Sequence, residues 1–506
     1  MSISSSQNQE SVSFAKSLFE SDAIGLKDKL LIVNPMHNYW SVQLSCEIAI
    51  QASAWTNKIK WIDISPANKK KYQINSQDFV NKFIRRDNLS HLNHIFNNYN
   101  IDFELKKQNT SSRTNLDDIM NVDQLLKLTY NSHPIGSVVF SGICSKLQST
   151  NFTYSRFKKL IDIYINYCIS IVDVLESEVL KFKPTKIFTI NDRIMGSALA
   201  VSVGRKFNLS NTVFYWGSDK SRIIGYSDSL YNIDQWQENV QKNFENNPPN
   251  QNDKSLVLNS IKNLGLEPIN SSIQFNQYQK KGKKLTLEGS EKICVFYATS
   301  TYEHSPLLFI KLKNGFKGQF EAFEVLQKVC QKYDYTLILK HHPSKRRLIK
   351  WRKRNVHNWE KFKIDKGTIE LPSNSDVDTY ELLKQADINV TWGSTVGLES
   401  LMAGRRTLIL GNLAWLNKKW GVHAWNQKEI ENFFNSASPN IDREEFLPWF
   451  WYLKKFGSPC KFTFLDHKSV QILDTNFFDL RLIFLLIYKA IKVLPKVFQN
   501  RVNEII

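Results

Sequence analysis

His341 and His342, Gly393, Ser394 and Thr395, and Glu399 are the residues of this chain whose types and spacing suit the handling of a phosphate. The histidines close the apolar run Thr336 to Lys340, Gly393-Ser394-Thr395 closes the run Asp387 to Trp392, and a third run, Arg406 to Leu410, closes at Gly411. Such runs, alternating with helical patterns, read as parallel strands joined by crossover helices. Ligands of an open parallel sheet sit beyond the carboxyl ends of its strands, where all these residues fall. Ser394 and Thr395 open the helix that holds Val396 to Met402, so their hydroxyls and the free N–H groups of its first turn face the same crevice as the histidines. Glu399 lies one turn on, within reach of a ribose hydroxyl if a nucleotide phosphate rests on the helix start. Singly, each has a plainer reading: an exposed strand-end histidine, an ordinary N-cap, a solvated helix glutamate. Their joint placement favours a site.

The order His-Pro after a strand, Ala386-Asp387 before the next, then Gly-Ser-Thr-x-Gly-x-Glu and Ala403-Gly404 resembles the donor half of bacterial capsule and surface-polysaccharide glycosyltransferases of the GT-B fold. The resemblance covers about residues 290 to 435. It implies an α/β fold of two facing Rossmann-like domains (GT-B type) with C-terminal helices, a nucleotide-sugar donor, and a glycan or lipid-linked glycan acceptor. It also implies that His342 contacts the donor phosphate, that Ser394 and Thr395 hold phosphate oxygens, and that Glu399 holds the ribose or a neighbouring hydroxyl. Relatives often carry paired serines and an Asp-Glu after the first strand of this half. Here Ile293 to Tyr297 leads into Ala-Thr-Ser-Thr-Tyr-Glu-His304, which keeps hydroxyls at Thr299 and Ser300 and one acid, Glu303.

Elements to position these residues are legible along the chain. A loose leader spans 1–23. Residues 24–285 form the N-terminal, acceptor-side domain, with a polar insertion at about 68–150, and residues 286–435 the donor domain. Residues 436–506 are expected to be aromatic and basic C-terminal helices, the first from Arg443 to Phe456 with its regular start limited by Pro448. In the first domain, Leu30 to Asn34, a helix from Ser41 and Ile59 to Ile64 form one βαβ unit, and a long helix from Tyr154 to Phe182 leads into a second at Lys186, Gly196 to Gly204 and Asn211 to Trp216.

Size and charge agree with this division. A chain of 506 residues is about twice what one core supports. A net charge of +19 points to an anionic partner: phosphate-bearing substrates, acidic glycans, anionic lipid headgroups or nucleic acid. Basic residues from Lys345 to Arg354 crowd behind the His-His-Pro turn, yet no zinc-finger spacing, RNP-like strand or helix-turn-helix accompanies them, so nucleic acid is not expected. An anionic substrate or membrane surface is favoured, beside the plain reading of a solvated lysine-rich face. The six cysteines lack metal spacing and read as reduced core residues. The amino terminus lacks a signal peptide, which fits a cytoplasmic protein, peripheral at the inner membrane face. Phe477 to Leu494 is too interrupted by charge to span a bilayer and reads as a helix packed on the body or lying in an interface.

Glycosyl transfer needs a stabilised leaving phosphate and, for inversion, a base. The phosphate falls to Gly393 to Thr395 with His342 and Lys340. The base is sought in the first domain at His37 or Asp192, each following a strand, although such residues more often form turns. Asp376-Val-Asp378 resembles a metal-binding pair, but it precedes the helix Thr379 to Ala386, where acids cap free N–H groups. No obligatory metal and no cofactor beyond the nucleotide-sugar substrate are therefore expected. The rival readings are a nucleotide-sugar 2-epimerase and a non-catalytic polysaccharide assembly protein.

Overall fold

The computed structural model describes residues 28–35, 39–64, 92–106, 119–147, 152–216, 222–229, 233–246, 248–252, 254–255, 279–287, 292–299, 315–316, 318–342, 359, 362–411, 420–437, 441–455, 458–460, 462–465, 469–472 and 475–478.

The first half builds one sheet from β1 (Leu30–Asn34), β2 (Ile59–Asp63), β3 (Ile101–Leu105), β4 (Lys186–Ile190), β5 (Ser210–Trp216) and β6 (Arg222–Ser227), in the order β6-β5-β4-β1-β2-β3. All neighbours are parallel except β6, which runs antiparallel to β5. Strands β1, β2 and β4 are buried along their whole length, as strands covered by helices on both faces must be. The 29-residue helix Tyr154–Phe182 covers one face; it ends at Lys183, whose left-handed backbone (φ 52°) returns its N–H to the Val179 carbonyl. The order reverses between β1 and β4, leaving a switch point at Asn34 and Asn191.

One expectation needs correction here. The polar stretch at about 68–150 is more than inserted helices and loops, because β3 within it is the sheet's edge strand. Its alternation of Ile101 and Phe103 with Asp102 and Glu104 is what an edge strand with one wet face shows, and it is too short to stand out from its polar surroundings.

The second sheet repeats the plan: β7 (Lys292–Tyr297), β8 (Tyr335–Lys340), β9 (Ile369–Leu371), β10 (Ile388–Thr391) and β11 (Thr407–Ile409), ordered β11-β10-β7-β8-β9 and parallel throughout. Its switch point lies between β7 and β10. The fold is α/β with two Rossmann-like sheets, as the sequence leads one to expect.

Beyond the second sheet, a 3-10 turn (Arg443–Phe446) precedes the helix Leu447–Lys455, and Pro448 sits in the first turn, where no helical N–H is lost. This helix packs on the first half's helix Ile233–Asn246, with the Tyr226 and Tyr452 hydroxyls 3.2 Å apart and Lys254 3.2 Å from Glu444. The chain then adds β12 (Ser458–Pro459) antiparallel to β6. A three-stranded antiparallel meander follows, β13 (Thr463–Leu465), β14 (Ser469–Ile472) and β15 (Thr475–Phe478). The expectation of helices throughout 436–506 is thus wrong from Ser458 onward among the described residues. Runs rich in aromatic and β-branched residues, separated by short polar breaks, make a meander, and Phe477 and Phe478 belong to β15; residues 479–506 lie outside the described residues.

The meander is held to the helix Tyr39–Ala52 by a buried carboxylate. Glu47 accepts from the Phe462 N–H (3.0 Å), the Thr463 hydroxyl (2.9 Å) and the Gln51 amide (2.5 Å). None of the six cysteines forms a disulfide; five are buried and Cys460 is half-buried. Among the described residues, no helix is long and apolar enough to cross a membrane.

Candidate functional site

Register assembles the site. Tyr297, at the end of β7, lies opposite Lys340 in β8 and opposite Thr391 in β10. Side chains alternate along a strand, so Tyr297, Lys340 and Thr391 share one face, and Thr299 and His342, two residues further on, continue it at the carboxyl edge. That face packs under the helix Thr379–Gln385 through Val295, Tyr297, Ile338 and Tyr380. The opposite face, with Phe296, Leu339 and Trp392, lies under the helix Gln319–Lys332.

Alternation also separates the two histidines. His341 is buried on the far face, its Nε2 2.8 Å from a Glu370 carboxylate oxygen and its ring edge-on to Trp359 at 5.9 Å. His342 is on the same face as Tyr297 and Lys340, where burial pushes its imidazole down to about 4, so it is neutral near pH 7. The positive charge comes from Lys340. Burial pushes its ammonium down to about 8, against the pull of the Asp376 and Asp378 carboxylates.

The loop after β10 is ordered by its own hydroxyls. Thr391 Oγ1 accepts from the Ser394 N–H (3.0 Å), and Ser394 Oγ accepts from the Val396 N–H (3.3 Å). The Ser394 carbonyl takes the Gly397 N–H at 3.0 Å. Helix Val396–Met402 therefore starts as expected, with Ser394 satisfying its first donor. Thr395 holds the formal cap position, makes no side-chain cap bond, and is exposed; Gly393 is half-buried.

Glu399 is not the solvated helix residue of the plain reading. It is buried, and burial pushes its carboxyl up to about 7 while a hydrogen bond from Tyr380 works the other way. Tyr380 was not legible as a site residue; in sequence it is one apolar position of a helix.

Thr299 lies two residues past the end of β7, with its main chain held on both sides by the Gln319 carboxamide. Sequence reasoning missed Gln319 as well, since a glutamine at a helix start carries no motif. Thr299, Lys340, His342, Gly393, Ser394, Thr395 and Glu399 thus come to one edge of the second sheet. Ser300 and Glu303 lie outside the described residues, as do His37 and the basic run 345–354.

Asp192 stands at the other sheet, past β4. Its neighbour Asn191 is the turn former: it adopts φ 48° and its Oδ1 accepts from the Arg193 N–H at 3.1 Å. Asp192 is left half-buried with the Ser229 hydroxyl donating to it at 2.5 Å.

The Asp376 and Asp378 pair does what acids before a helix are expected to do, and more. Asp378 Oδ1 caps the Tyr380 N–H at 2.8 Å, while its Oδ2 accepts from the Gly282 N–H at 2.8 Å. Gly282 turns at φ 77°, a conformation that favours glycine. Asp376 pairs with Lys283 (2.6 Å) and Lys280 (3.4 Å). Both acids thus pin residues 279–287 to the second half. Among the described residues, no cluster of three or more His, Cys, Asp or Glu is placed to hold a metal ion.

The second of two Rossmann-like sheets thus carries an edge rich in hydroxyls, with a lysine and a histidine, beside its switch point, the place where open parallel sheets hold their ligands. Residues 259–444 match the family described as capsule polysaccharide biosynthesis protein, the family to which the motifs between 336 and 411 point. No curated protein matches the chain. Solved structures similar to it include the KpsC beta Kdo 2,4 transferase of Thermosulfurimonas dismutans, at 13% identity and a TM-score of 0.35, covering 52% of this chain and 79% of that one. The UDP-GlcNAc 2-epimerase of Methanocaldococcus jannaschii is similar at 13% identity and a TM-score of 0.28, covering 91% and 99%. The glycosyltransferase SsfS6 of Streptomyces sp. SF2575 is similar at 8% identity and a TM-score of 0.24, covering 84% and 95%. These are distant likenesses.

Proposed function

We propose that this chain is a glycosyltransferase of capsular or surface polysaccharide synthesis, taking its sugar from a nucleotide-activated donor held at the carboxyl edge of the second sheet. The observation that carries this reading is the convergence of Thr299, Lys340, His342 and Ser394 on that edge, inside the segment that matches the capsule family.

In this reading Lys340 supplies the charge that stabilises the departing phosphate. Thr299, Ser300, Ser394 and Thr395 hold its oxygens, with Gly393 allowing close approach. His342, being neutral, donates one hydrogen bond without competing for a proton, and Glu399 takes a ribose hydroxyl. The base that activates the acceptor comes from His37 or Asp192 in the first half, with Glu303 a further acid for the same step. In this reading the reaction needs neither metal nor cofactor; Asp376 and Asp378, whose spacing resembles a metal-binding pair, are engaged with the 279–287 segment. The acceptor is a glycan or lipid-linked glycan. The charge of +19 suits work in the cytoplasm against the anionic inner membrane face.

A thermal-shift screen of CMP, CDP, UDP and GDP against the wild type and His342→Ala tests this. A ligand of the folded state raises its apparent stability, so one nucleotide should stabilise the wild type and lose much of its effect on the variant. Equal stabilisation of both would remove His342 from the site. Interconversion of a nucleotide sugar in the absence of any acceptor would replace transfer by epimerisation.

A further inference from the structure

We propose that Gln319 is a positioning residue of the donor site: it holds the main chain of Thr299 so that the Thr299 hydroxyl meets a phosphate oxygen of the bound nucleotide. The inference rests on the donor-site reading and adds to it a residue outside the motifs.

Strand β7 loses its regular partners just where the site begins. The Ala298 N–H still reaches the Lys340 carbonyl at 3.0 Å, but Thr299 lies past the end of the ladder. Gln319, 1% exposed and first in its helix, takes over: its Oε1 accepts from the Thr299 N–H at 3.1 Å and its Nε2 donates to the Thr299 carbonyl at 3.0 Å. A carboxamide is suited to this because it presents a donor and an acceptor side by side, as a neighbouring strand would. Glutamate would accept but could not donate; an aliphatic chain could do neither. With both main-chain groups held, the backbone of Thr299 is fixed, and with it the direction of its side chain.

That side chain carries the second observation. Thr299 is 7% exposed, yet among the described residues its Oγ1 has no hydrogen-bond partner. Buried hydroxyls are ordinarily satisfied, and leaving one without a partner costs stability. Alternation puts it on the face of Tyr297, Lys340 and Thr391, beside the switch point where an anionic ligand would lie. An oxygen of a nucleotide phosphate there accepts from the hydroxyl and satisfies it.

The test uses the full chain and the nucleotide selected by the screen above, with Kd from calorimetry and ligand-free melting temperature for each variant. Thr299→Val, nearly isosteric, should melt at or above the wild-type temperature, since it removes an unsatisfied group, yet weaken binding on the order of tenfold. Thr299→Ser, which keeps the hydroxyl, should bind within about threefold of wild type. Gln319→Met and Gln319→Glu should each weaken binding on the order of tenfold, and Gln319→Met combined with Thr299→Val should be no weaker than the worse single variant, because both act through one hydroxyl. Wild-type binding in Gln319→Met, or independent additive losses in the double variant, would overturn the inference while leaving the donor reading in place. Failure of the wild type to bind any nucleotide would overturn both. Should Gln319→Met fail to fold, the Thr299 pair decides: unchanged binding by Thr299→Val overturns the proposal.

Discussion

Lys340 stands directly opposite Tyr297 in the β7–β8 ladder, at the last paired position before both strands open into the site. The ammonium is therefore enclosed by the sheet and the helix above it rather than carried on a solvated loop.

Enclosure makes Lys340 titrate within reach of ordinary buffers. With its ammonium pushed down to about 8, nucleotide affinity should hold up to that pH and then fall, by roughly tenfold per unit where binding requires the proton. Lys340→Met should weaken binding and remove the falling limb. Calorimetry at several pH values checks this, and an unchanged slope in the variant would detach Lys340 from the phosphate.

Glu399 and His342 should pull stability in opposite directions with pH. Folded Glu399 keeps its proton to about 7 instead of 4.5, so its contribution falls as pH rises through that interval. Folded His342 gives up its proton near 4 instead of 6.5, so its contribution grows as pH rises from about 4 to 6.5. Each is worth on the order of 3 kcal/mol at most, and in the wild type they largely cancel. Denaturant titrations should show stability rising from acid to neutral pH in Glu399→Gln and falling in His342→Gln. Parallel curves for the two variants would contradict the burial described for these groups.

Asp378 and Asp376 should separate cleanly on mutation. Asp378→Ala loses a helix cap and the hold on Gly282, and should cost about 1–2 kcal/mol and expose the 279–287 segment to protease. Asp376→Asn loses exposed ion pairs and one of the carboxylates that hold up the Lys340 ammonium, so it should change stability little while moving the Lys340 titration down. Added chelator should leave nucleotide binding by either protein unchanged; dependence of binding on a divalent ion would restore the metal reading of this pair.

What was legible in the sequence tracks how local the physics is. Strand β1, the helix Tyr154–Phe182 and the start of the helix at Val396 follow from contiguous apolar runs, periodicity and one hydroxyl. The Gly393 to Thr395 turn and Lys340 could be placed because motifs sit at strand ends. Strand β3 and the β13 to β15 meander were missed because short strands owe their existence to distant partners, such as β2 and the helix bearing Glu47. Gln319 and Tyr380 were missed for the same reason: each matters through a residue 20 or 19 positions away, Thr299 and Glu399, and nothing in either one's neighbourhood announces it.

The contact of Glu47 with the meander should be costly to remove. Glu47→Ala leaves the Phe462 N–H and the Thr463 hydroxyl without their acceptor and should destabilise the chain by about 2–4 kcal/mol. Glu47→Gln, which keeps an acceptor, should cost less. Limited proteolysis near residue 462 is the readout, and equal resistance in wild type and Glu47→Ala would show that the meander is held by packing alone.

The backbone passes between the two sheets twice, once through the segment that Asp376 and Asp378 fasten and again where β12 rejoins β6. Phe244 of the helix Ile233–Asn246 also packs among Leu398, Leu401 and Trp420, so the two crossings are braced by side-chain packing, and cutting the chain at either one would leave the halves still joined.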